Sequence, residues 1–291
     1  MSSAMVWVPV VGIVIGLTLG ALGGGGSILT VPALVYLLGQ GVPAATTGSL
    51  VIVGVSALVA AARHRAAGQV RVSAGVAFGA LGMIGAYAGT RLSQQVSPAV
   101  LLTAFALLIG VVATLMIRRD RAAQPTSEPT AEPTAEPNAQ PNAQPNDVAI
   151  AEPSVPSAPS SRATSVTRLV LTATAVGLLT GFFGVGGGFA IVPALVLVLG
   201  YPMPVAVGTS LLVISLNSAS ALAIRATVGA LADIDWLVIG GFTLMATIGS
   251  LLGARVAARV DPRALTRAFA GLLLATAAYL LAVNVPALLS R

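Results

Sequence analysis

The chain has no cysteine and no lysine, a single histidine, and only 8% charged residues over 291 positions. Each shortage excludes something. Without thiols there is no disulfide framework, no thiolate metal centre and no cysteine nucleophile. One histidine and no cysteine cannot build a common zinc site, nor the paired ligands a redox membrane subunit needs to anchor its cofactor. No Ser–His–Asp arrangement can be assembled from these residues inside a bilayer. Soluble domains carry about 25% charged residues, so this chain lacks the polar material to cover a large water-facing surface. No enzyme activity, cofactor or metal is expected.

What it has instead is apolar length. Hydrophobic residues make up 56% of the chain, and the mean hydropathy is +0.94. Two blocks dominate, about Met5–Ile117 and Leu169–Leu289. The first divides into Met5–Leu22, a shorter Ser27–Leu38, Ala44–Ala62, Val72–Leu92 and Pro98–Ile117. The second divides into Leu169–Phe183, a shorter Phe189–Leu199, Val205–Ile224, Trp236–Ala254 and Pro262–Val283. About 20 apolar residues span the hydrocarbon as a helix, and backbone in lipid must satisfy its own polar groups. The runs are too long and too unbroken for a β-barrel. The expectation is an all-α, polytopic membrane protein. Met1–Val6 carries no side-chain charge, and no small-residue cleavage site follows, so the first run reads as a retained segment.

The net charge of +6 comes entirely from arginine. The arginines form no single stripe of the kind that binds nucleic acid. They sit at the ends of apolar runs, where they anchor helices and set orientation. No nucleic-acid partner is expected. Between the blocks the material changes: Pro125, Pro129, Pro133, Pro137, Pro141 and Pro145 are evenly spaced, with Thr, Ala, Glu, Asn and Gln between them. No apolar face can form there, so an extended linker is expected. The division is a first membrane repeat over 1–119, a linker over 120–166 and a second membrane repeat over 167–291.

The blocks are copies of each other. Gly16, Gly20, Gly23–Gly26 and Val31-Pro32-Ala33-Leu34-Val35 align without a gap on Gly177, Gly181, Gly184–Gly188 and Val192-Pro193-Ala194-Leu195-Val196. The register holds through Pro43 and Pro204, Ser49 and Ser210, and Gly68 and Gly229. After a short insertion, Gly85, Gly89 and Arg91 match Gly249, Gly253 and Arg255, and Phe105 matches Phe269. Duplicated helical units of this kind build many secondary transporters, often in inverted orientation. If each shorter run folds back as a hairpin, each copy crosses an odd number of times and the copies are inverted. Arg63, Arg65, Arg71, the linker arginines and Arg255, Arg259, Arg263 and Arg267 then share one face. Only Arg91, Arg225 and Arg291 take the other, as the positive-inside tendency favours.

Gly23, Gly24, Gly25 and Gly26, and Gly184, Gly186, Gly187 and Gly188, interrupt apolar runs, with Pro32 and Pro193 following as structural breaks. An interrupted helix exposes main-chain amides at the start of the next half-helix, where the dipole also attracts anions. Paired interruptions in two halves are the best sequence pointer to a transporter binding site. Scattered glycines such as Gly79, Gly82, Gly85 and Gly89 read as helix contacts instead. Gly184–Gly188 is not a dinucleotide fingerprint, because no acidic residue follows at the right distance. Thr46, Thr47, Ser49, Thr209 and Ser210 could donate to a bound oxyanion or only cap and bridge helices. Asn217 needs a partner inside its apolar run. His64, between Arg63 and Arg65 in an expected loop, reads as an interface residue. No buried carboxylate relay is evident, since Asp233, Asp235 and Asp261 lie near helix ends.

With these motifs in view, the sequence resembles the TauE/SafE family of sulfite exporters, also called toluene sulfonate uptake permeases. Gly20-Ala-Leu-Gly23-Gly-Gly-Gly26 with Val31-Pro32, its second copy from Gly181 to Pro193, Gly208–Ser210, and the Gly-x-x-x-Gly-x-Arg of Gly85–Arg91 and Gly249–Arg255 carry the resemblance. It covers both membrane blocks. The first copy departs at Thr46-Thr47-Gly48-Ser49, and the linker is longer than expected. The resemblance implies a permease of a bacterial plasma membrane, with the linker in the cytoplasm. Its implied passenger is a small anion such as sulfite, an organosulfonate or a related organic acid. Partners are then the bilayer and that anion, with room for a homo-oligomer. A passive anion channel and a non-transporting scaffold subunit are the alternatives.

Overall fold

The computed structural model describes residues 4–93, 95–96, 98–122, 162–183, 188–227, 229, 231–232 and 234–289; these form ten α-helices and no strand. The first copy contributes α1 (Ala4–Leu22), α2 (Gly25–Pro32), α3 (Val42–Ala66), α4 (Val72–Ser93) and α5 (Pro98–Ala122). The second contributes α6 (Arg162–Phe183), α7 (Gly188–Leu197), α8 (Met203–Thr227), α9 (Trp236–Ala257) and α10 (Pro262–Leu289). Each expected apolar run is a helix, with ends shifted by a few residues. Six of the described helices, α3, α4, α6, α8, α9 and α10, are long and apolar enough to cross a membrane. Large side chains such as Leu58, Ile84, Val111, Leu171 and Leu244 point outward, as lipid contact requires.

Two boundaries differ from expectation. Helix α3 runs past Ala62 and carries Arg63, His64 and Arg65 in its last turn. His64 is therefore helical and buried, not in a loop. Helix α5 reaches Ala122 and α6 starts at Arg162, so helix replaces both ends of the expected linker. The proline pattern itself lies outside the described residues.

Glycine decides how the helices pair. A Cβ at Gly16 would fall on the Ala246 carbonyl, one at Gly20 on the Ser250 carbonyl, one at Gly249 on the Ile13 carbonyl and one at Gly253 on the Leu17 carbonyl. These contacts lay α1 parallel to α9, backbone against backbone. The same contact recurs between α6 and α4, where Gly177 and Gly181 meet the carbonyls of Gly82 and Ala86, and Gly85 and Gly89 meet those of Thr174 and Leu178. The first helix of each copy thus packs on the fourth helix of the other. Small residues allow this close approach in lipid, where packing and not water exclusion drives association.

The remaining helices pair with their own counterparts, running antiparallel. Arg225, in the last turn of α8, reaches Thr46 and Thr47 at the start of α3, while His64 at the end of α3 lies against Gly208 near the start of α8. Asp120 at the end of α5 bonds Arg267 near the start of α10 at 2.9 Å. Arg267 is exposed while the Asp120 side chain is 8% exposed, and the pair marks the alignment. The cores follow the same division: one cluster centres on Phe105, Phe189, Leu195, Leu211 and Phe269, and a smaller one on Ile15, Leu34, Ile52, Ile239 and Phe242.

Replacing Gly181 with Val should cost about 1–3 kcal/mol, the range for overpacked interiors, read as a lower unfolding midpoint in detergent. Gly271→Ala is the control, because a Cβ there meets nothing within 4 Å. Equal effects at both positions would show that close backbone approach is not what holds the helices together.

Candidate functional site

The first glycine cluster breaks the chain. Helix α1 ends at Leu22, Gly23 has φ 74°, and α2 begins at Gly25. An L side chain rarely adopts that angle, which explains glycine at position 23. Helix α2 then turns back on α1, with Gly26 seated against Ile15 and Leu19. The residue at its start, Gly24, brings no capping side chain of its own. Pro32 ends α2, and a π-helical turn over Ala33–Leu37 follows. Proline lacks the amide that would continue the α pattern, and wider turns absorb such a defect.

The second copy is built alike where it is described. Helix α6 ends at Phe183 and α7 begins at Gly188, with Pro193 buried inside it. Gly184, Gly186 and Gly187 lie outside the described residues. Phe105 of α5 grips both sides of the break, 5.3 Å from the Phe183 ring and 4.8 Å edge-to-face from Phe189. At its far end, α7 has its Val196 and Leu197 carbonyls bonded by Arg119 Nη1 at 2.6 and 2.9 Å. That guanidinium satisfies carbonyls a helix end leaves open.

The two breaks meet. A Cβ at Gly24 would fall on the Gly188 carbonyl, and one at Gly23 would lie 2.6 Å from Ser210 Oγ. Ser210 is fully buried and donates to the Gly23 carbonyl at 2.8 Å, across 187 residues of sequence. Gly23, Gly24, Gly26, Gly188 and Ser210 therefore form one junction between the starts of α2 and α7. Gly25 contributes its backbone as the first residue of α2.

The other expected hydroxyls stand apart from this junction. Thr46 and Thr47 accept from Arg225 Nη1 at 3.0 and 2.7 Å while donating to the Pro43 carbonyl. Thr209 accepts the Arg71 amide at 3.1 Å. Ser49 donates to the Thr46 carbonyl. Arg225 was legible only as a helix-end anchor; nothing in the sequence linked it to hydroxyls 178 residues away.

Asn217 lies on a cavity of about 460 Å³ between α3, α4, α6, α7 and α8. Its Oδ1 is buried and has no hydrogen-bond partner. Phe78, Met83, Tyr87, Val176 and Ile191 supply an apolar lining, and Thr180, Ser218 and Ser220 supply hydroxyls. Ile191 sits within one turn of Gly188, so the cavity reaches toward the junction. The sequence pointed to Asn217 through its cost in an apolar run. Thr180, Ser218 and Ser220 gave no comparable signal, because hydroxyls can bond their own helix. His64 is held elsewhere, with Nδ1 2.8 Å from Gln69 Oε1 and Nε2 3.2 Å from the Gly20 carbonyl.

A bundle of apolar helices with two broken half-helices meeting beside a cavity defines a polytopic membrane transporter. Residues 8–280 match the family described as Sulfite exporter TauE/SafE, and the chain belongs to that family. It is 31% identical over 279 residues to a "Probable membrane transporter protein" of Xylella fastidiosa strain Temecula1, covering 92% of this chain and 91% of the relative. A protein of the same description from strain 9a5c is 30% identical over 282 residues, with the same coverage. "Probable membrane transporter protein YunE" of Bacillus subtilis is 37% identical over 81 residues, 28% of this chain and 29% of that one. No solved structure matches the chain.

Replacing Ser210 with Ala removes the hydroxyl that ties α8 to the Gly23 turn. The expected cost is about 0.5–1.5 kcal/mol, with faster amide hydrogen exchange in α2. Unchanged exchange there would show that the turn holds itself.

Proposed function

We propose that this transporter is a secondary carrier of a small anion, such as sulfite, an organosulfonate or a related organic acid, across the bacterial plasma membrane. The observation that carries the reading is the meeting of two glycine-broken half-helices at a junction with no acidic side chain among its described residues. Main-chain amides at helix starts favour negative charge, and in transporters such half-helices address anionic groups. Gly24, Gly25, Gly26 and Gly188, with the undescribed Gly184, Gly186 and Gly187, would supply the amides. Asn217 would supply a side-chain donor through its amide nitrogen, Ser210 would hold the Gly23 turn in place through its hydroxyl, and the cavity along α4 and α8 would be the way in. Ser49, Thr46, Thr47 and Thr209 would act from the periphery by holding helix starts in place.

The antiparallel pairing of α3 with α8 and of α5 with α10 supports inverted copies, joined by the linker. In that arrangement Arg63, Arg65, Arg71, Arg118, Arg119, Arg121, Arg162, Arg168, Arg255, Arg259, Arg263 and Arg267 share the linker's face, and Arg91, Arg225 and Arg291 take the other. The positive-inside tendency then puts the linker in the cytoplasm. A carrier is favoured over a passive channel because the cavity beside Asn217 has no open counterpart at Ser56, Ala60 and Ser250, which are fully buried.

Proteoliposomes of the wild-type protein should accumulate labelled sulfite, methanesulfonate or toluenesulfonate down an imposed gradient, with saturation kinetics. Gly24→Val, whose side chain would collide with the Gly188 carbonyl, should lower that flux at least tenfold while the protein remains monodisperse in detergent. Full flux in this variant would remove the junction from the transport path.

A further inference from the structure

The repeat register assigns a counterpart to every residue on the Asn217 cavity. Aligned residues differ by 161 positions through the third helices, as from Pro43 to Pro204, and by 164 in the fourth helices, as from Gly89 to Gly253. Asn217 thus corresponds to Ser56, Met83 to Thr247, Ala86 to Ser250, Phe78 to Phe242 and Ala221 to Ala60.

The two sets are in opposite conditions. Around Asn217 the helices part to leave the cavity of about 460 Å³. Around Ser56 they are closed: Ser56, Ala60 and Ser250 are 0% exposed and Phe242 is 1% exposed. Ser250 Oγ donates to the Ser56 carbonyl at 3.1 Å, and the Ser56 and Thr247 hydroxyls lie 3.4 Å apart. Missing side-chain atoms do not make the difference. Asn217, Met83 and Tyr87 on the open side are larger than their counterparts Ser56, Thr247 and Leu251. The opening therefore reflects separation of α4 from α8, which pack together less extensively than α3 and α9 do. The two sets also face opposite ways. The cavity runs along α4 and α8 toward Arg91 and Arg225. The closed set lies between α3 and α9, and a smaller cavity of about 230 Å³ at Arg63, His64, Ala254 and Ala258 stops short of it.

We propose that Ser56, Thr247 and Ser250 form a second binding half-site for the oxyanion group of the passenger. It is closed on itself in this conformer and becomes available when α3 and α9 part as α4 and α8 do here. Parting would remove the Ser250–Ser56 and Ser56–Thr247 contacts across the helices, while Ser250 keeps its bond to the Thr247 carbonyl at 2.9 Å. Buried polar groups without partners are costly, and a passenger oxyanion accepts hydrogen bonds from hydroxyls as main chain does. The half-site then recognises by donors alone, with no fixed cation. This rests on the carrier reading above and adds residues that the glycine junction does not include.

The chain has no cysteine, so single cysteines can be read without background. Ala221→Cys and Ala60→Cys are matched positions, to be probed with a membrane-impermeant maleimide in vesicles of both orientations. Cysteine at 221 should react at least tenfold faster from the face of Arg225 than from the other, and cysteine at 60 from neither. Adding S56A, T247V and S250A, which removes the closing contacts, should make cysteine at 60 reactive from the face of Arg255. Cysteine at 60 that stays unreactive in that background, or reacts already in the wild type, overturns the proposal. In the second measurement, T247V with S250A should raise the KM for toluenesulfonate, methanesulfonate or sulfite at least tenfold on the Arg255 face. It should change KM on the Arg225 face less than twofold. Unchanged KM on both faces overturns the binding role while leaving transport in place. A wild-type protein that moves none of the three anions overturns the carrier reading and the half-site with it. Because the labelling needs no transported substrate, the two failures are told apart.

Discussion

Backbone contact at glycine is the constraint from which the architecture follows. Lipid offers helices no hydrophobic reason to associate, and this chain has few charged residues to tie them together. What remains is close approach. Gly16, Gly20, Gly249 and Gly253 let α1 and α9 touch main chain to main chain, and Gly85, Gly89, Gly177 and Gly181 do the same for α4 and α6. Because each pair joins a first helix to a fourth helix of the other copy, neither copy closes alone. The interlock brings the third helices together and the fifth helices together, and it places the ends of α1 and α6 at one central point. The breaks at Gly23–Gly24 and before Gly188 begin where those glycine ridges end. Packing and site are thus continuous stretches of the same helices: glycine first as a contact surface, then as a hinge.

That continuity explains why a half-helix can start inside an apolar bundle. A broken helix in lipid is tolerated only where protein or a water-lined cavity surrounds it. Here Ser210 takes up the Gly23 carbonyl, Arg119 takes up the last carbonyls of α7, and Phe105 packs both flanks of the second break. The supports come from two helices, Ser210 from α8 and both Phe105 and Arg119 from α5. At the first break the Gly23 carbonyl is satisfied by Ser210, and at the far end of α7 the last carbonyls are satisfied by Arg119.

The helices were legible because apolar runs of membrane length leave little choice, and the duplication was legible because Gly, Pro and Arg recur in register. Gly85 and Gly89 read correctly as contact residues, since small residues on one helix face have few other uses. Their partner was not legible: a glycine ridge declares a contact without naming the helix it contacts. The same limit applies to Thr46 and Thr47. Their place early in a helix was plain, but the guanidinium that engages them arrives from the far end of α8. His64 was misplaced into a loop because flanking arginines suggested a chain outside the membrane, whereas α3 carries all three in its last turn. The cavity at Asn217 was invisible for a deeper reason. It exists because α4 and α8 stand apart while their counterparts α9 and α3 stand together, and identical registers carry no record of which of the two pairs is open.

Arg225 joins these threads. Among the described residues no carboxylate pairs with it, and its partners are two threonine hydroxyls. Hydroxyls orient a guanidinium without cancelling its charge. The positive field therefore persists at the end of α8, one residue beyond Ile224 on the cavity wall. Low-dielectric walls focus such a field along a cleft and raise the local concentration of opposite charge. Its counterpart in the other copy is His64, buried between Gln69 and the Gly20 carbonyl. At the position matched to Arg225 the closed side thus carries an imidazole folded into the packing, with Arg63 beside it on a smaller cavity. An anion reaching the junction from the Arg225 side would pass from a fixed charge to main-chain dipoles. Binding would weaken in specificity but not in sign along the way, as a passenger that must be released requires.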